Sequence, residues 1–175
     1  MSLTAQGCNK AAEFIQFCDA FSIPVLSITN VNGFKNCMCS EKKLAKALAR
    51  MTYAFSNATC AKVNMITGEA YGSAYVFMNS KSIGADLVYA WNDAKIGTMD
   101  STMAAKIMYP DADAAEIKEK ASEYEKLQSS ATSAAARGYV DRIIEPADSR
   151  KYLVAAFEML YTKYVGEPEK KHGTK

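Results

Sequence analysis

Lys62-Val-Asn-Met-Ile-Thr-Gly-Glu-Ala-Tyr-Gly-Ser-Ala-Tyr-Val-Phe-Met78 is the segment around which the chain organises. Val63 to Ile66 is a short apolar run of the kind that forms a buried strand. A turn of small residues follows, carrying Gly68 and Gly72, with small Ser73 and Ala74 after it. A helical run then starts near Ser73 and reaches Asn79. Small residues let a ligand approach the backbone closely. The first N–H groups of a helix lack intrahelical acceptors, and the helix dipole adds partial positive charge there. Strand, small turn and helix start can therefore form a backbone oxyanion hole, a device suited to a reaction that passes through an enolate. The same residues also suit a tight strand-to-helix connection with no chemistry.

Moving outward, Ala11, Phe14, Ile15 and Cys18 recur at helical spacing, which predicts a helix over Ala11 to Phe21. Pro24-Val-Leu-Ser-Ile28 predicts a short buried strand, and Thr29 to Ser40 a loop turning at Asn32-Gly33. Leu44, Leu48, Met51 and Phe55 stripe a second helix, Glu41 to Ser56. Further strands are expected at Asp86 to Tyr89, Lys95 to Thr98 and Val140 to Ile144. Ser101 is the expected cap of a helix to Met108, Asp113 of one to about Gln128, and Asp148 of a last helix striped by Leu153, Phe157 and Leu160. Gln128 to Thr132 is polar and loop-like. Alternating strands and helices predict an α/β fold with a mainly parallel sheet. A leader (1–10), one domain (11–165) and a polar tail (166–175) are the expected divisions. Met1-Ser2-Leu3 resembles a vector-derived leader, which would make the chain a piece of a longer protein.

The 175 residues suffice for one domain with a real core, and 49% of them are hydrophobic. A formal net charge of +2 is too small to argue for nucleic acid, and Lys170-Lys171 in the tail is the main basic cluster. The five cysteines are Cys8, Cys18, Cys37, Cys39 and Cys60. An odd number with no zinc spacing points to free thiols in a reducing cytoplasm, and Cys37-Met-Cys39 to neither a disulfide nor a metal site. No apolar run is long enough to span a bilayer.

Side-chain catalytic devices are scarce. His172 is the single histidine, so a Ser-His or Cys-His pair would need the tail to fold back. Tyr71-Gly-Ser-Ala-Tyr75 lacks the second glycine of a nucleophile elbow, and no base stands near Ser73. Asp86, Asp93 and Asp100 suit caps and turns better than a carboxylate pair. Tyr71, Tyr75, Phe77, Tyr89 and Trp91 suit core packing before a ligand pocket.

Several ordered motifs then point to one family. They are Ala12-Glu-Phe-Ile-Gln-Phe-Cys-Asp-Ala-Phe-Ser-Ile-Pro24, Asn32-Gly-Phe34, Ala70-Tyr-Gly-Ser-Ala-Tyr75 and Met78-Asn-Ser-Lys-Ser-Ile-Gly-Ala-Asp86. Tyr89-Ala-Trp91, Ala135-Ala-Arg-Gly-Tyr-Val-Asp141, Ile144-Glu-Pro146 and Lys171-His-Gly173 follow in order. The chain resembles the C-terminal half of the carboxyltransferase component of biotin-dependent acyl-CoA carboxylases and of the sodium-pumping methylmalonyl-CoA and glutaconyl-CoA decarboxylases.

The resemblance implies a crotonase-like fold and CO2 transfer between N-carboxybiotin and the α-carbon of a short acyl-CoA. It implies a biotin carboxyl carrier protein, an acyl-CoA-binding N-terminal half or subunit, membrane decarboxylase subunits and a homo-oligomer as partners. Carried over, the N–H groups of Ser73 and Ala74, after Gly72, would hold the ureido oxygen of biotin. The carbonyl of Phe34, after Gly33, would accept from a ureido N–H. Ser73 replaces the family's second turn glycine, and Asn32 replaces a proline. Gly68-Glu69 replaces a pair that is often Arg-Lys, and the loop after Phe34 lacks the family's Gly-rich stretch. Val76 stands where propionyl-CoA carboxylases tend to have Asp, a position linked to acyl-chain choice. These departures lean toward the decarboxylase branch. A free-standing crotonase-like hydratase or isomerase, with Glu69 the sole candidate for its glutamate near the turn, and a non-catalytic scaffold that docks a biotin carrier or assembles a complex are the competing readings.

Overall fold

A computed structural model describes residues 1–166, excepting the side chain of Cys39. Lys170, Lys171, His172 and Gly173, singled out above, lie outside the described residues, as does the Cys39 thiol of the Cys37-Met-Cys39 pair. The architecture is α/β, and among the described residues the strands pair in parallel, with one isolated antiparallel bridge between Lys95 and Ser130. Strand β1 (Ser2–Leu3) pairs with β3 (Gly33–Phe34) in a small sheet. The main sheet holds β2 (Val25–Val31), β4 (Lys62–Tyr71), β5 (Leu87–Trp91), β6 (Lys95–Gly97) and β7 (Arg142–Ile144). Its strand order is β2-β4-β5-β7, with β6 also on β4.

β4 is the spine of this sheet. It pairs with β2 from Lys62 to Ala70, with β5 over Val63–Ile66, and with β6 over Glu69–Tyr71. The strand is therefore longer than the sequence predicts. Gly68 lies inside it and not in the turn, because β2 also runs on past Ile28 to Val31 and gives β4 a partner there. Glu69 N–H donates to Asn30 Oδ1 at 3.1 Å, which ties the two strands at this point.

Helix α1 (Ala5–Ala20) starts six residues before the expected Ala11, with Thr4 Oγ1 accepting from the N–H of Gly7. Its buried face is Cys8, Ala12, Ile15 and Cys18, while Phe14 faces outward and is 60% exposed. It packs on α2 (Met38–Asn57), whose Leu48, Met51 and Phe55 are buried at the expected spacing. Short α3 (Gly72–Phe77) follows β4 directly. In α4 (Ser101–Met108) the cap is Asp100, which accepts from the N–H groups of Thr102 and Met103; Ser101 is the first helical residue. Asp113 caps α5 (Ala114–Tyr124) as expected.

Two elements here depart from expectation. The α-geometry of α5 ends at Tyr124, and Glu125–Ser129 continue as a wider π-helical turn. Helix α6 (Ala131–Ala136) then takes in the last two residues, Ala131 and Thr132, of the loop expected over Gln128–Thr132, with Ser130 Oγ accepting from Ser133 N–H. α6 buries only Ala131 and Ala134, so it shows no stripe of large apolar residues. The last helix, α7 (Ser149–Met159), covers Val63, Tyr89 and Ile144 with Ala156. Asp148 precedes it without a side-chain capping bond.

The start of β4 is anchored by charge. Asp86 Oδ2 accepts from the backbone N–H of Lys62 at 2.7 Å and from Lys163 Nζ at 2.9 Å. Lys62 is itself 3% exposed, and its Nζ donates to Phe55 O at 2.6 Å. Burial, then the nearby Lys163, holds the Lys62 ammonium below its usual pKa. Asp86→Ala removes the acceptor of two donors at once. It should lower the unfolding free energy by about 1–3 kcal/mol, the usual penalty for stranding buried polar groups. Urea denaturation followed by circular dichroism measures this, and a change below about 0.5 kcal/mol would assign the anchoring elsewhere.

Candidate functional site

The turn after β4 works because of one residue. Gly72 has φ +61, a left-handed conformation that L side chains adopt at a cost. A Cβ placed there would also stand 3.1 Å from the carbonyl oxygen of Thr98. Gly72 thus lets the chain reverse from strand to helix against the end of β6. The N–H groups of Ser73 and Ala74 fall in the first turn of α3, where helix geometry supplies no acceptor. Ser73 is exposed, whereas Ala74 is 1% exposed and packs into the core with Ile66, Ala70 and Val88. The two side chains therefore point to different environments while their N–H groups share the turn.

A cavity of about 480 Å³ opens on this turn. Gly72, Ser73, Tyr75 and Val76 form one side. Ile96, Gly97 and Thr98, at the end of β6, form another. Tyr124 and Gln128 reach over it from the end of α5 and the π-helical turn, and Arg137 and Tyr139 close it after α6. Gly97 permits this closure, since a Cβ there would lie 2.9 Å from Ser129 Oγ. Arg137 Nη2 donates to Gln128 Oε1, and Tyr124 and Thr98 hydroxyls lie 3.4 Å apart. Burial, then Tyr139, pushes the Tyr75 phenol up to about 12. Burial, then Asp100, Glu69 and Glu125, pushes Tyr71 up to about 12 as well.

The structure brings Gly72, Ser73 and Val76 together on this cavity and places the Ala74 side chain behind it. Gly33 and Phe34 form β3, which pairs with Ser2–Leu3 and packs Phe34 against the core residues around α3; neither residue lines the cavity. Glu69 does not line it either. Asp86 and Asp100 take the anchoring and capping roles described above. Tyr89 packs against Tyr152 at a ring separation of 6.0 Å, and Trp91 Nε1 donates to Ser149 Oγ, so both belong to packing. Sequence reasoning did not assign Tyr124, Gln128, Arg137 or Tyr139 to the site. For Arg137 and Tyr139 a signal existed, because Ala135-Ala-Arg-Gly-Tyr-Val-Asp141 is one of the family motifs. Tyr124, the last residue of the regular helix, falls on the expected Ile117-Ala121-Tyr124 face, which reads as packing, and Gln128 carried no signal because the π-helical turn Glu125–Ser129 aims it differently from a regular helix.

Residues 2–174 match the carboxyl transferase domain. The chain belongs to that family. Its α/β architecture is crotonase-like, as are its neighbours among solved structures. It is 46% identical over 98% of its length to a putative propionyl-CoA carboxylase beta chain of Bacillus subtilis. It is 45% identical over 94% of its length to the methylmalonyl-CoA decarboxylase subunit alpha of Propionigenium modestum. The family members are longer: this chain spans 35% and 33% of those two relatives. A crystal structure of the transcarboxylase 12S hexamer with hydrolysed methylmalonyl-coenzyme A bound superposes with a TM-score of 0.93 at 40% identity, covering 99% of this chain and 34% of that one.

Two outcomes test the geometry. Tyr71 and Tyr75 ionise near 12 when folded and near 10 when unfolded. The stability they contribute is complete below pH 10 and is lost as pH rises through 12. Absorbance at the phenolate band should show these two among the ten tyrosines titrating last, and Tyr75→Phe should remove one of them. Gly72→Ala should destabilise the fold by about 1–3 kcal/mol through left-handed strain and the Thr98 contact. A thermal midpoint equal to wild type would show that the turn is not held at this conformation.

Proposed function

We propose that this chain is the biotin-binding part of an acyl-CoA carboxyltransferase. It would move CO2 between biotin and the α-carbon of a short acyl-CoA of the methylmalonyl-CoA or propionyl-CoA type. The observation that supports this best is the left-handed Gly72 turn opening onto a cavity, in a chain whose relatives are carboxylase and decarboxylase subunits. The cavity admits a group as small as a ureido ring, and the absent Cβ at Gly72 leaves its backbone open to close approach. Biotin, brought by its carrier protein, supplies a ureido nitrogen that carries CO2.

The chain's own residues then act through dipoles. The Ser73 and Ala74 N–H groups would donate to the ureido oxygen, where negative charge develops as CO2 leaves. The carbonyl of Phe34, on β3 and outside the cavity lining, would accept from a ureido N–H only of a ring that extends past the cavity toward β3. Val76 would present an apolar surface beside the reacting group, and the high-pKa phenol of Tyr75 stays neutral there at physiological pH. No histidine is needed, because a donor pair held by a rigid turn requires no proton transfer of its own. The position of Glu69 in a strand away from the cavity leaves a hydratase without its acid. The carrier protein, an acyl-CoA-binding half or subunit, and further copies of this chain in the cytoplasm complete this reading. The membrane subunits of a decarboxylase join them if the chain acts in that direction.

Substitution at Ser73 tests the assignment. Combined with the acyl-CoA-binding part, Ser73→Gly should keep biotin-dependent transfer at or above the wild-type rate. Ser73→Pro, checked for its fold by circular dichroism, should lose roughly 10²-fold, the scale of one missing oxyanion donor. A folded but inactive Ser73→Gly would overturn backbone donation and require the hydroxyl. The 175-residue chain alone should be nearly inactive on methylmalonyl-CoA with free biotin, and turnover on the order of 10 per second would refute the division of labour.

A further inference from the structure

Among the described residues, Arg137 is the single charged side chain on the cavity, and no carboxylate shares the lining. Among the described residues Arg137 makes no ion pair; its Nη2 donates to the neutral amide oxygen of Gln128. The guanidinium therefore faces the cavity with its positive charge unmatched. Its surroundings there are apolar or neutral, with Val76, Ile96 and Ala134 on the walls and the Tyr75 phenol un-ionised at physiological pH. Arg137 and Gln128 are both exposed at the mouth of the cavity, so fork geometry and the absence of a competing carboxylate in the lining, not burial, favour an anion there. The planar fork of arginine also fits a carboxylate with two parallel hydrogen bonds, and one arm is already oriented by Gln128.

The position of Arg137 is built in by the backbone. It caps α6, and Gly138 follows at φ +80, which turns the chain back toward β7. The π-helical turn brings Gln128 to meet it. We propose that Arg137 is a specificity-determining residue that binds the carboxylate of the transferred group, opposite the Gly72-Ser73 turn. The ligand class is a small carboxylate on an apolar or neutral body. Two sources share that chemistry: the free carboxylate of a malonyl-type acyl group, and the carboxylate borne on a ureido nitrogen. The identity of the transferred group rests on the function proposed above; the anion site itself does not.

Binding of methylmalonate to the 175-residue chain, by calorimetry or by NMR titration, tests the site directly. Methylmalonate should bind wild type at least tenfold more tightly than its uncharged dimethyl ester. Arg137→Gln should lose that tenfold for methylmalonate and change nothing for the ester, while Arg137→Lys keeps part of it. Equal methylmalonate affinity in wild type and a folded Arg137→Gln overturns the proposal, as does equal affinity for acid and ester. In the assembled enzyme, a rise in KM for methylmalonyl-CoA but not propionyl-CoA in Arg137→Gln assigns the carboxylate to the acyl group. A rise confined to the carboxylated carrier assigns it to the ureido group. If Arg137-dependent methylmalonate binding persists while wild type shows no transfer at all, the carboxyltransferase reading fails and the anion site stands.

Discussion

β4 must be both a fully paired central strand and the launch point of a turn, and the rest of the molecule accommodates that double demand. Its first half pairs on both edges, with β2 and β5, and is almost wholly buried. Its last three residues exchange β5 for β6, which brings Thr98 against Gly72. A buried strand end cannot leave backbone polar groups unpaired without cost. Here the pairing with β6 continues to Tyr71, and α3 begins at the next residue. The turn is therefore a single left-handed glycine and not a loop, and its position follows from the sheet.

The same logic explains what the sequence made legible. Val63 to Ile66 announced a buried strand because its apolar run is short and continuous, and Gly72 announced the turn because only glycine combines φ +61 with a neighbour at 3.1 Å. Gly68 looked like part of that turn because a glycine next to a glutamate breaks an apolar run. Tertiary pairing with Val31 and Ile96 overrode the local signal at Ala70. Phe14 looked like core because it sits at helical spacing, but α1 extends back to Ala5 and the buried stripe is set by Cys8 and Ala12.

The far wall of the site was hidden for a different reason. α6 is held by alanine burial, a Ser130 cap and hydrogen bonds such as Ser133 Oγ to Leu127 O at 2.8 Å, none of which produces a hydrophobic period. The π-helical turn before it is equally silent, since one wider turn changes no composition. An extra residue inserted into a helix re-aims the side chains beyond it, and such turns recur at functional sites. Here the wider turn delivers Gln128 to Arg137 and Ser129 to Gly97. This wall is thus built from two segments without a hydrophobic period, while its charge, Arg137, follows them in the Ala135–Asp141 motif.

Serine in place of a turn glycine is tolerable on these grounds. Gly72 alone carries the left-handed conformation, while Ser73 already belongs to a right-handed helix that any L residue enters without strain. Its side chain is exposed, so the hydroxyl displaces no core atom. The inward position next to it is Ala74, where anything larger would press on Ile66 and Val88. A donor supplied by the main chain does not depend on which side chain decorates it, provided the backbone path is unchanged. Conformation therefore constrains Gly72 and core volume constrains Ala74, and neither constraint applies to Ser73.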